Sequence, residues 1–362
     1  MSHVEETMRA LVLSRHGHIT LEERPVPRLA EGEALVRVRC CGICGSDLGM
    51  VYEHAHFYPL VPGHEFTGAV AGVAGDVGRD MVGMPVTAYP VIGCGTCPQC
   101  RRGDRTKCAR YDFLGSRSDG AFADYVKVPV ENLIPLQGLD ERRGALIEPL
   151  AVAVHAVRRA TAGSLTRTAV IGAGPIGLLT ALAADALGAV EVVMAEIDSR
   201  KAELARSMGL RAVCTREAGI AALEEFFPRG ATAVFECSGT GPGIRDALSA
   251  AAPDAAVVMV GIHKRDVVLP PDCARHIMKK ELQLTGAWVS NYLDRPADDW
   301  ATALELIRSG RVDVAPLITQ VLPPERGAEA FADLHDHPGA KMKTLICFST
   351  SEKRRKRDHA DW

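Results

Sequence analysis

Four cysteines lie close together in one short segment of the chain. Their spacing is Cys94-x2-Cys97-x2-Cys100-x7-Cys108, in a stretch interrupted by glycine and proline. Four thiolates can surround a zinc ion completely and leave no open position for a substrate. An iron–sulfur cluster also takes four thiolates, and disulfides are a third alternative, although neighbours in one loop make poor pairs. The spacing favours a structural zinc ion that contributes folding energy to a loop without a core of its own.

Other segments offer metal ligands of mixed type. Cys44 lies in the turn CGICGSD after a predicted strand, and His64 and Glu65 lie in the next such turn. Glu148 interrupts an apolar run where a helix begins. A thiolate, an imidazole and a carboxylate together would make an open, catalytic zinc site. Taken singly, Cys44 can be a small buried hydrophobic residue, His64 a hydrogen-bonded turn residue, and Glu148 an acid favoured by the helix dipole.

A glycine-rich motif between a predicted strand and a predicted helix indicates nucleotide binding. Its residues are Gly172, Gly174, Pro175, Ile176 and Gly177. The first glycine permits the tight turn, the second lets the backbone approach a pyrophosphate, and the third lets helix and strand pack closely. The helix N-terminus offers N–H groups and its positive dipole to the phosphates. Without a ligand, the same motif would be only a glycine-rich connection.

The following strand, VEVVMAE, ends in Glu196, the position that binds ribose in such motifs. The carboxylate of Glu196 would accept hydrogen bonds from the adenosine ribose, and its charge would repel a 2′-phosphate. This predicts NAD rather than NADP. Asp198 is the alternative ribose ligand. Lys201 is assigned to the cofactor site, although Arg200 and Lys201 also leave room for NADP.

The elements that must hold these residues differ along the chain. The first part contains short β-like runs broken by glycine and proline: MRALVL, EALVRVRCC, FTGAVAGVAG, MPVTAYP and FADYVKVP. Such runs predict a small antiparallel, barrel-like domain. From about Thr168, strands alternate with helical patterns, which predicts βαβ units and a parallel sheet. A helix at 298–309 and the strand-like runs VAPLITQVL and KTLICF then return the chain to the first domain.

Length and composition set the class of molecule. A chain of 362 residues is long for one core and predicts two domains. The net charge of −3 creates no field for nucleic acid or membrane, and no apolar run reaches the ~20 residues of a membrane span. The N-terminus lacks the order of a signal peptide, so we expect a cytoplasmic protein in which clustered cysteines bind metal. The basic run KRRKR at 353–357 is interpreted as a solvated end rather than a nucleic-acid or targeting patch.

Six motifs occur in a fixed order between Met8 and Phe348: CGICGSD, PGHEFTG, GCGTCPQC with Cys108, DGAFADY, IEPLAVAVHA and GAGPIG. On these motifs the chain resembles the zinc-containing medium-chain dehydrogenase/reductase family, in particular its sorbitol-dehydrogenase-like polyol branch. The runs KCARYDFLGSRSDGAFADYV and KKELQLTGAWVSNY resemble members that act on a polyol phosphate of the galactitol 1-phosphate type.

The resemblance implies an α/β fold with a GroES-like β-barrel catalytic domain and an inserted Rossmann dinucleotide-binding domain. It implies a catalytic part at 1–152, a nucleotide-binding domain at 153–288, and a return to the catalytic domain at 289–362, which ends in the charged tail. It also implies homodimers or homotetramers.

The resemblance further assigns the catalytic zinc to Cys44 and His64, with Glu65 and Glu148 as direct or exchangeable ligands. A catalytic zinc makes a hydroxyl easier to deprotonate near neutral pH, and the hydride acceptor is the nicotinamide. Ser46 is expected to carry the hydroxyl proton away. Relatives often have a histidine shortly after this Ser-Asp pair, whereas positions 48–51 here are LGMV. The nearby His54 and His56 are interpreted as loop residues.

The sequence therefore predicts hydride transfer between a secondary hydroxyl of a polyol or polyol phosphate and NAD. Arg117, in the loop GSRSDG, is a candidate phosphate ligand because guanidinium is a planar bidentate donor; the alternative is a solvated loop residue. An aminocyclitol or inositol dehydrogenase of secondary metabolism is the second candidate. A nucleotide-binding protein that has lost zinc is the third, and the intact ligand set argues against it.

Overall fold

A computed structural model describes residues 6–160, 164–292, 298–337, 339 and 341–348. The chain divides into two compact units. The first combines the chain up to Leu146 with the chain from Ile318 onward, and the second is Ile147–Leu317. The basic run at 353–357 lies outside the described residues. Among the described helices, none is long and apolar enough to cross a membrane.

The first stretch of the chain is rich in strands, as predicted. With all elements numbered in chain order, the strands are β1 (Thr7–Arg15), β2 (His18–Pro25), β3 (Glu33–Gly42), β4 (Glu65–Val73), β5 (Pro85–Ala88), β6 (Val91–Ile92), β7 (Asp112–Phe113), β8 (Tyr125–Pro129) and β9 (Leu133–Pro135). The helices are α1 (Gly45–Tyr52), α2 (Pro98–Arg101) and α3 (Glu141–Gly144).

The second unit alternates helices and strands. The helices are α4 (Ile147–Arg159), α5 (Pro175–Ala186), α6 (Ser199–Ser207), α7 (Thr215–Ala218), α8 (Gly241–Ala250), α9 (Pro271–Lys279) and α10 (Asp299–Arg308). The strands are β10 (Arg167–Ile171), β11 (Glu191–Glu196), β12 (Arg211–Cys214), β13 (Ala231–Glu236), β14 (Ala251–Met259) and β15 (Gln283–Gly286). They form one parallel sheet in the order β12-β11-β10-β13-β14-β15. This is the strand order of a Rossmann fold, and it confirms the predicted parallel sheet.

The chain then returns to the first unit through β16 (Ile318–Leu322), α11 (Gly327–Asp336) and β17 (Lys343–Cys347). The prediction of a strand from Val314 was wrong at its start, because Ala315–Leu317 form a short 3₁₀ turn. Pro316 has no N–H group to donate to a strand ladder, so the strand begins at Ile318.

β3 lies at the centre of the sheet in the first unit. The order is β16-β17-β3-β4-β5-β9, and β8 also pairs with β3. All neighbours are antiparallel except β16 and β17, which are parallel. Buried side chains such as Leu11, Val36 and Phe122 belong to one continuous core. The antiparallel first domain predicted from the β-like runs is confirmed.

The units divide at positions that differ from the sequence boundaries. The structure divides the chain at 146/147 and 317/318, whereas the family resemblance implied domain boundaries at 152/153 and 288/289. Helix α4 packs against α5 and α10, so these helices belong to one unit. Motif positions carry no information about that packing.

Candidate functional site

The four cysteines of the predicted structural site lie together in the first unit. Their sulfur atoms are within 4.8 Å of one another, and we call the segment Cys94–Cys108 the cysteine lobe. The backbone N–H of Cys100 donates to Cys97 Sγ at 3.4 Å. The Thr96 hydroxyl lowers the pKa of Cys94 to about 5. Four sulfur ligands in this arrangement fit a tetrahedral zinc ion.

Apolar packing contributes little to the cysteine lobe. It contains helix α2 and a short 3₁₀ turn at Arg105–Lys107, and neither includes a buried residue. Its order rests on backbone turns and on N–H groups that donate to sulfur, such as Arg110 N–H to Cys108 Sγ at 3.4 Å. A metal ion would add the cross-links that a core supplies elsewhere.

A second group of ligand-type side chains is buried in the same unit. One ligand atom from each of Cys44, His64 and Glu65 lies within 4.8 Å of the others. Cys44 caps α1 just after β3, and Glu65 is the first residue of β4. His64 is 4% exposed and Glu65 is 1% exposed. We call these three residues the buried centre; their thiolate, imidazole and carboxylate suit an open zinc site.

Asp47 joins the two turns that carry this centre. Its Oδ2 accepts the N–H of Cys44 at 2.9 Å, and its Oδ1 accepts the N–H of Gly63 at 3.3 Å. The same Oδ1 lies 3.6 Å from His64 Nδ1, beyond hydrogen-bond distance, and this buried ring nitrogen has no hydrogen-bond partner among the described residues. Burial raises the pKa of Asp47, against the opposing effect of His64. The sequence analysis had assigned Asp47 no role.

The thiol of Cys44 is neutral in the metal-free protein. Burial, together with the charge of Glu65, raises its pKa to about 11, while Lys343 and a hydrogen bond with Ser46 act in the opposite direction. Metal binding must therefore release a proton from Cys44. Ser46 itself is half-buried in the first turn of α1, two residues after Cys44.

Lys343 contacts the buried centre and was missed by the sequence analysis. Its Nζ donates to both carboxylate oxygens of Glu65, and the two side chains are 3% and 1% exposed. β3 lies between their strands, and a Cβ on Gly42 of β3 would be 2.5 Å from Glu65 Oε2. The bare backbone at Gly42 therefore lets the two side chains meet. They are 278 positions apart, so no local pattern could have indicated the pair.

A disulfide joins β17 to the central strand β3. Cys40 of β3 and Cys347 of β17 stand directly opposite each other and are bonded. The expectation that the clustered cysteines bind metal is wrong for Cys40. Its partner lies 307 positions away, and only the pairing of β17 with β3 brings the two together.

Three further residues were considered in the sequence: Glu148 as a metal ligand, and His54 and His56 as loop residues. Glu148 is 4% exposed in the first turn of α4 and belongs to the second unit. His54 and His56 are exposed in the loop after α1. His64 also contacts a residue outside the predicted set, because its ring packs edge-on against Phe113 with 5.2 Å between centroids.

The glycine motif lies at the carboxyl end of β10. Gly172 has a φ of 98°, which favours glycine, and Gly174 is the N-cap of α5, followed by Pro175 and Ile176. A Cβ on Gly177 would be 1.9 Å from the Gly172 carbonyl oxygen, so close packing of helix and strand requires glycine there. The motif borders the switch between β10 and β13, where this fold binds dinucleotides.

Glu196 ends β11 beside this motif and is 7% exposed. Its carboxylate accepts the N–H of Ala173 at 2.6 Å and the N–H of Asp198 at 2.8 Å, so it holds the glycine loop as well. Asp198 caps α6 and forms an ion pair with Arg200 at 2.8 Å, which lowers the pKa of Asp198 through hydrogen bonds from Arg200. Lys201 is half-buried in α6.

Two family models match the chain. Residues 30–138 match the alcohol dehydrogenase GroES-like domain, and residues 175–309 match the zinc-binding dehydrogenase family. These matches and the observed strand orders confirm the expected α/β architecture with a GroES-like and a Rossmann-like domain.

Several known proteins are similar over nearly the whole chain. The galactitol 1-phosphate 5-dehydrogenase of Escherichia coli (strain K12) is 33% identical over 90% of this chain and 96% of that enzyme. A crystal structure of the Escherichia coli enzyme covers 94% of this chain and all of its own, with a TM-score of 0.88 and 32% identity. The sorbitol dehydrogenase of Bacillus subtilis (strain 168) is 30% identical over 96% of this chain and 99% of that enzyme. A zinc-binding dehydrogenase of Sinorhizobium meliloti 1021, solved with NADP, has a TM-score of 0.84 and 29% identity over 95% of this chain and all of its own.

Proposed function

Because the chain belongs to the zinc-containing medium-chain dehydrogenase/reductase family, we propose that this dehydrogenase oxidises a secondary hydroxyl of a polyol or polyol phosphate and uses NAD as hydride acceptor. The observation that carries the proposal is the buried group of Cys44, His64 and Glu65 within the region that matches the alcohol dehydrogenase domain. The substrate class follows from the names of two relatives, a galactitol 1-phosphate 5-dehydrogenase and a sorbitol dehydrogenase.

We propose two zinc sites. The closed site consists of the four sulfurs of the cysteine lobe. The open site consists of Cys44, His64 and Glu65, with Glu148 as an exchangeable ligand. A catalytic zinc supplies Lewis acidity, which lowers the pKa of a hydroxyl group near it.

The protein's own residues would position the open site and move the proton. Asp47 holds the turns of Cys44 and His64 together and faces the Nδ1 edge of the imidazole. Lys343 neutralises the buried charge of Glu65, which would otherwise be costly. The hydroxyl of Ser46, beside Cys44, would accept the proton that the substrate loses and pass it to solvent.

The second unit would bind the nucleotide at the glycine motif, with the pyrophosphate at the N-terminus of α5. Two features support NAD over NADP, and a third leaves room for NADP. Glu196 places a negative charge at the carboxyl end of β11. Arg200, a possible ligand for a 2′-phosphate, is paired with Asp198. Lys201 is the other positive residue in this segment, and it leaves room for NADP.

We also propose that the enzyme is a homodimer or homotetramer. β15 is an edge strand of the parallel sheet, and Leu284 on it is 40% exposed. Large apolar side chains in the segments that precede and follow β15 in sequence are exposed as well, namely Ile262, Met278 and Trp288. An unpaired edge beside exposed apolar side chains favours association, and a second copy could extend the sheet.

A substrate screen tests the proposed function. NADH formation would be measured with galactitol, galactitol 1-phosphate, sorbitol, inositol and ethanol, before and after removal of metal by a chelator. We expect polyols to be far better substrates than ethanol, and the chelated protein to be inactive. Turnover by metal-free protein, or activity confined to ethanol-like alcohols, would overturn the proposal, and activity confined to inositol would favour the cyclitol alternative.

Cofactor choice has its own test. The unmodified enzyme should prefer NAD, and Glu196→Ala should narrow the gap to NADP by removing the repulsive charge. The same change should weaken binding of both nucleotides, because Ala173 loses its hydrogen-bond acceptor. Equal use of NAD and NADP by the unmodified enzyme would contradict the role given to Glu196.

A further inference from the structure

The loop from Tyr111 to Gly120 is built directly on the turn of a proposed metal ligand. A Cβ on Gly115 would be 2.6 Å from the backbone of Gly63, and a Cβ on Gly120 would be 2.1 Å from the Gly63 carbonyl oxygen. Gly63 immediately precedes His64. The loop backbone therefore lies against the His64 turn so closely that neither glycine can be replaced without displacing it.

This loop also presents Arg117. The N–H of Arg117 donates to the carbonyl of Phe113 at 2.9 Å, and Phe113 is the residue whose ring packs against His64. Arg117 is exposed and lies in the turn between Phe113 and Ser118. The loop that carries this cation therefore packs directly against the His64 turn, within the same unit.

The charge of Arg117 has no carboxylate partner among the described residues. Two acids of the same loop form no ion pair with it among the described residues, and each accepts a backbone hydrogen bond. Asp112 Oδ1 accepts the N–H of Phe113 at 2.6 Å, and Asp119 Oδ1 accepts the N–H of Val61 at 2.8 Å. The guanidinium instead lies over the ring of Tyr111, with its Cζ 4.4 Å from the ring centroid.

Stacking of this kind restrains a guanidinium while leaving its N–H edge free. A fixed planar fork of N–H donors matches the oxygens of a phosphate and binds them in a bidentate manner. An ordinary solvated arginine would first have to lose its side-chain entropy. Arg117 thus has the features of a prepared site for a phosphate dianion.

We propose that Arg117, stacked on Tyr111, binds the phosphate of a phosphorylated polyol and makes the enzyme selective for it over the free polyol. This inference rests on the proposed function, because it assigns the far end of the substrate whose hydroxyl is oxidised at the buried centre. A phosphate of the nucleotide is the other possible source of the same chemistry.

The variants Arg117→Gln and Arg117→Lys would be compared with Arg28→Gln, which removes an exposed arginine outside this loop and outside the cysteine lobe. We expect Arg117→Gln to raise the KM for galactitol 1-phosphate about 10- to 100-fold and to change kcat less than about twofold. The KM for galactitol should stay unchanged, Arg117→Lys should be intermediate, and the control should behave as wild type.

The pH dependence gives a second readout. The ratio of KM values for galactitol 1-phosphate and galactitol should rise as the pH falls below about 6, where a phosphate monoester loses its second charge. Arg117→Gln should flatten this change. Protein groups whose ionisation changes both KM values by the same factor have no effect on this ratio.

Three kinetic results would overturn the inference: equal KM changes for both substrates, no preference for the phosphorylated substrate in the wild type, or an increased KM for NAD or NADP alone, which would assign Arg117 to the nucleotide.

Calorimetric binding of galactitol 1-phosphate to the zinc-loaded protein with NADH separates the phosphate site from the proposed function. If no polyol is oxidised, the proposed function fails. Loss of binding in Arg117→Gln would then still support the phosphate site, whereas absence of binding in the wild type would reject it.

Discussion

The cysteine lobe and the buried centre both gather ligand-type side chains, and they differ in what holds those side chains together. The lobe takes its sulfurs from one short segment whose helical turns contain no buried residue. The buried centre takes Cys44, His64 and Glu65 from turns at the ends of two strands, and Asp47 and Lys343 fix them through hydrogen bonds.

This difference distinguishes a structural metal ion from a catalytic one. A segment without a core obtains its structure from the ion that it binds. A site inside a packed sheet is positioned in advance by its surroundings, so the ion can be used for chemistry. We therefore expect loss of a metal ligand in the lobe to affect stability with little effect on activity, and loss of a metal ligand in the buried centre to affect activity most.

The largest expected effect is that of His64→Ala. Loss of the imidazole should reduce polyol oxidation by about 10³-fold or more, because Lewis-acid activation is worth several kcal/mol. Nucleotide binding should change little, because the nucleotide motif belongs to the other unit. Initial rates, zinc content and NADH titration check this, with the exposed His337→Ala as control. Near-normal activity of the His64 variant would remove the buried centre from catalysis.

Lys343→Met tests whether the ion pair of Lys343 with Glu65 holds the buried centre in place before a metal binds. It should lower the free energy of unfolding of the metal-free protein by about 3–5 kcal/mol, because Glu65 is left charged and buried. The loss should be smaller with zinc bound, which can compensate the carboxylate. Denaturant unfolding with and without chelator measures both.

The double variant Lys343→Met/Glu65→Gln is the matched control for this prediction. It removes the unpaired charge and should recover much of the lost stability in the metal-free protein. An equal loss in the single and double variants would show that the pair does not hold the centre.

Cys97→Ser should affect the lobe alone. Zinc content should fall from about two to about one per chain, and the melting temperature should drop by about 5–10 °C, as for a loss of 2–3 kcal/mol. kcat/KM at 25 °C should stay within about threefold of the wild type. Cys214→Ser, at a half-buried cysteine of the second unit, controls for loss of a thiol. A stable variant with full zinc content would contradict the structural role.

The smallest effect is expected for Cys347→Ser, which removes the disulfide beside the buried centre. We expect a loss of about 1–2 kcal/mol, at the low end for disulfides, because β17 is already paired on both sides. Wild-type protein treated with dithiothreitol should melt at the same temperature as the variant. If reductant leaves the melting temperature unchanged, the bond does not stabilise the strand pair.

Most features that could be predicted are encoded locally. The glycine motif lies between a strand and a helix that are adjacent in sequence, so one segment was enough to predict nucleotide binding there. The ligand spacing of the cysteine lobe is local in the same way. The pair of Glu65 and Lys343 is different, because two side chains 278 positions apart meet only where Gly42 leaves a gap.

The sequence also indicated which residues are candidates for the sites better than it indicated which groups those residues contact. Glu196 was identified as the acid at the end of its strand, but its contacts with Ala173 and Asp198 depend on how the glycine loop folds back. Arg117 was a candidate on residue type alone. Its stacking on Tyr111, and the backbone bonds that occupy Asp112 and Asp119, are properties of the folded loop.

The sequence by itself determined the classes of fold and chemistry, because periodicity, glycine placement and ligand spacing act over a few residues. It determined the parallel sheet, the strand-rich first domain and the identity of the candidate ligands. Only the tertiary structure decided which distant groups meet: the disulfide of Cys40 and Cys347, the ion pair of Lys343 with Glu65, and the packing of α4 and α10 into the second unit. Such contacts depend on strand register and helix packing, which bring together positions whose separation in sequence carries no signal.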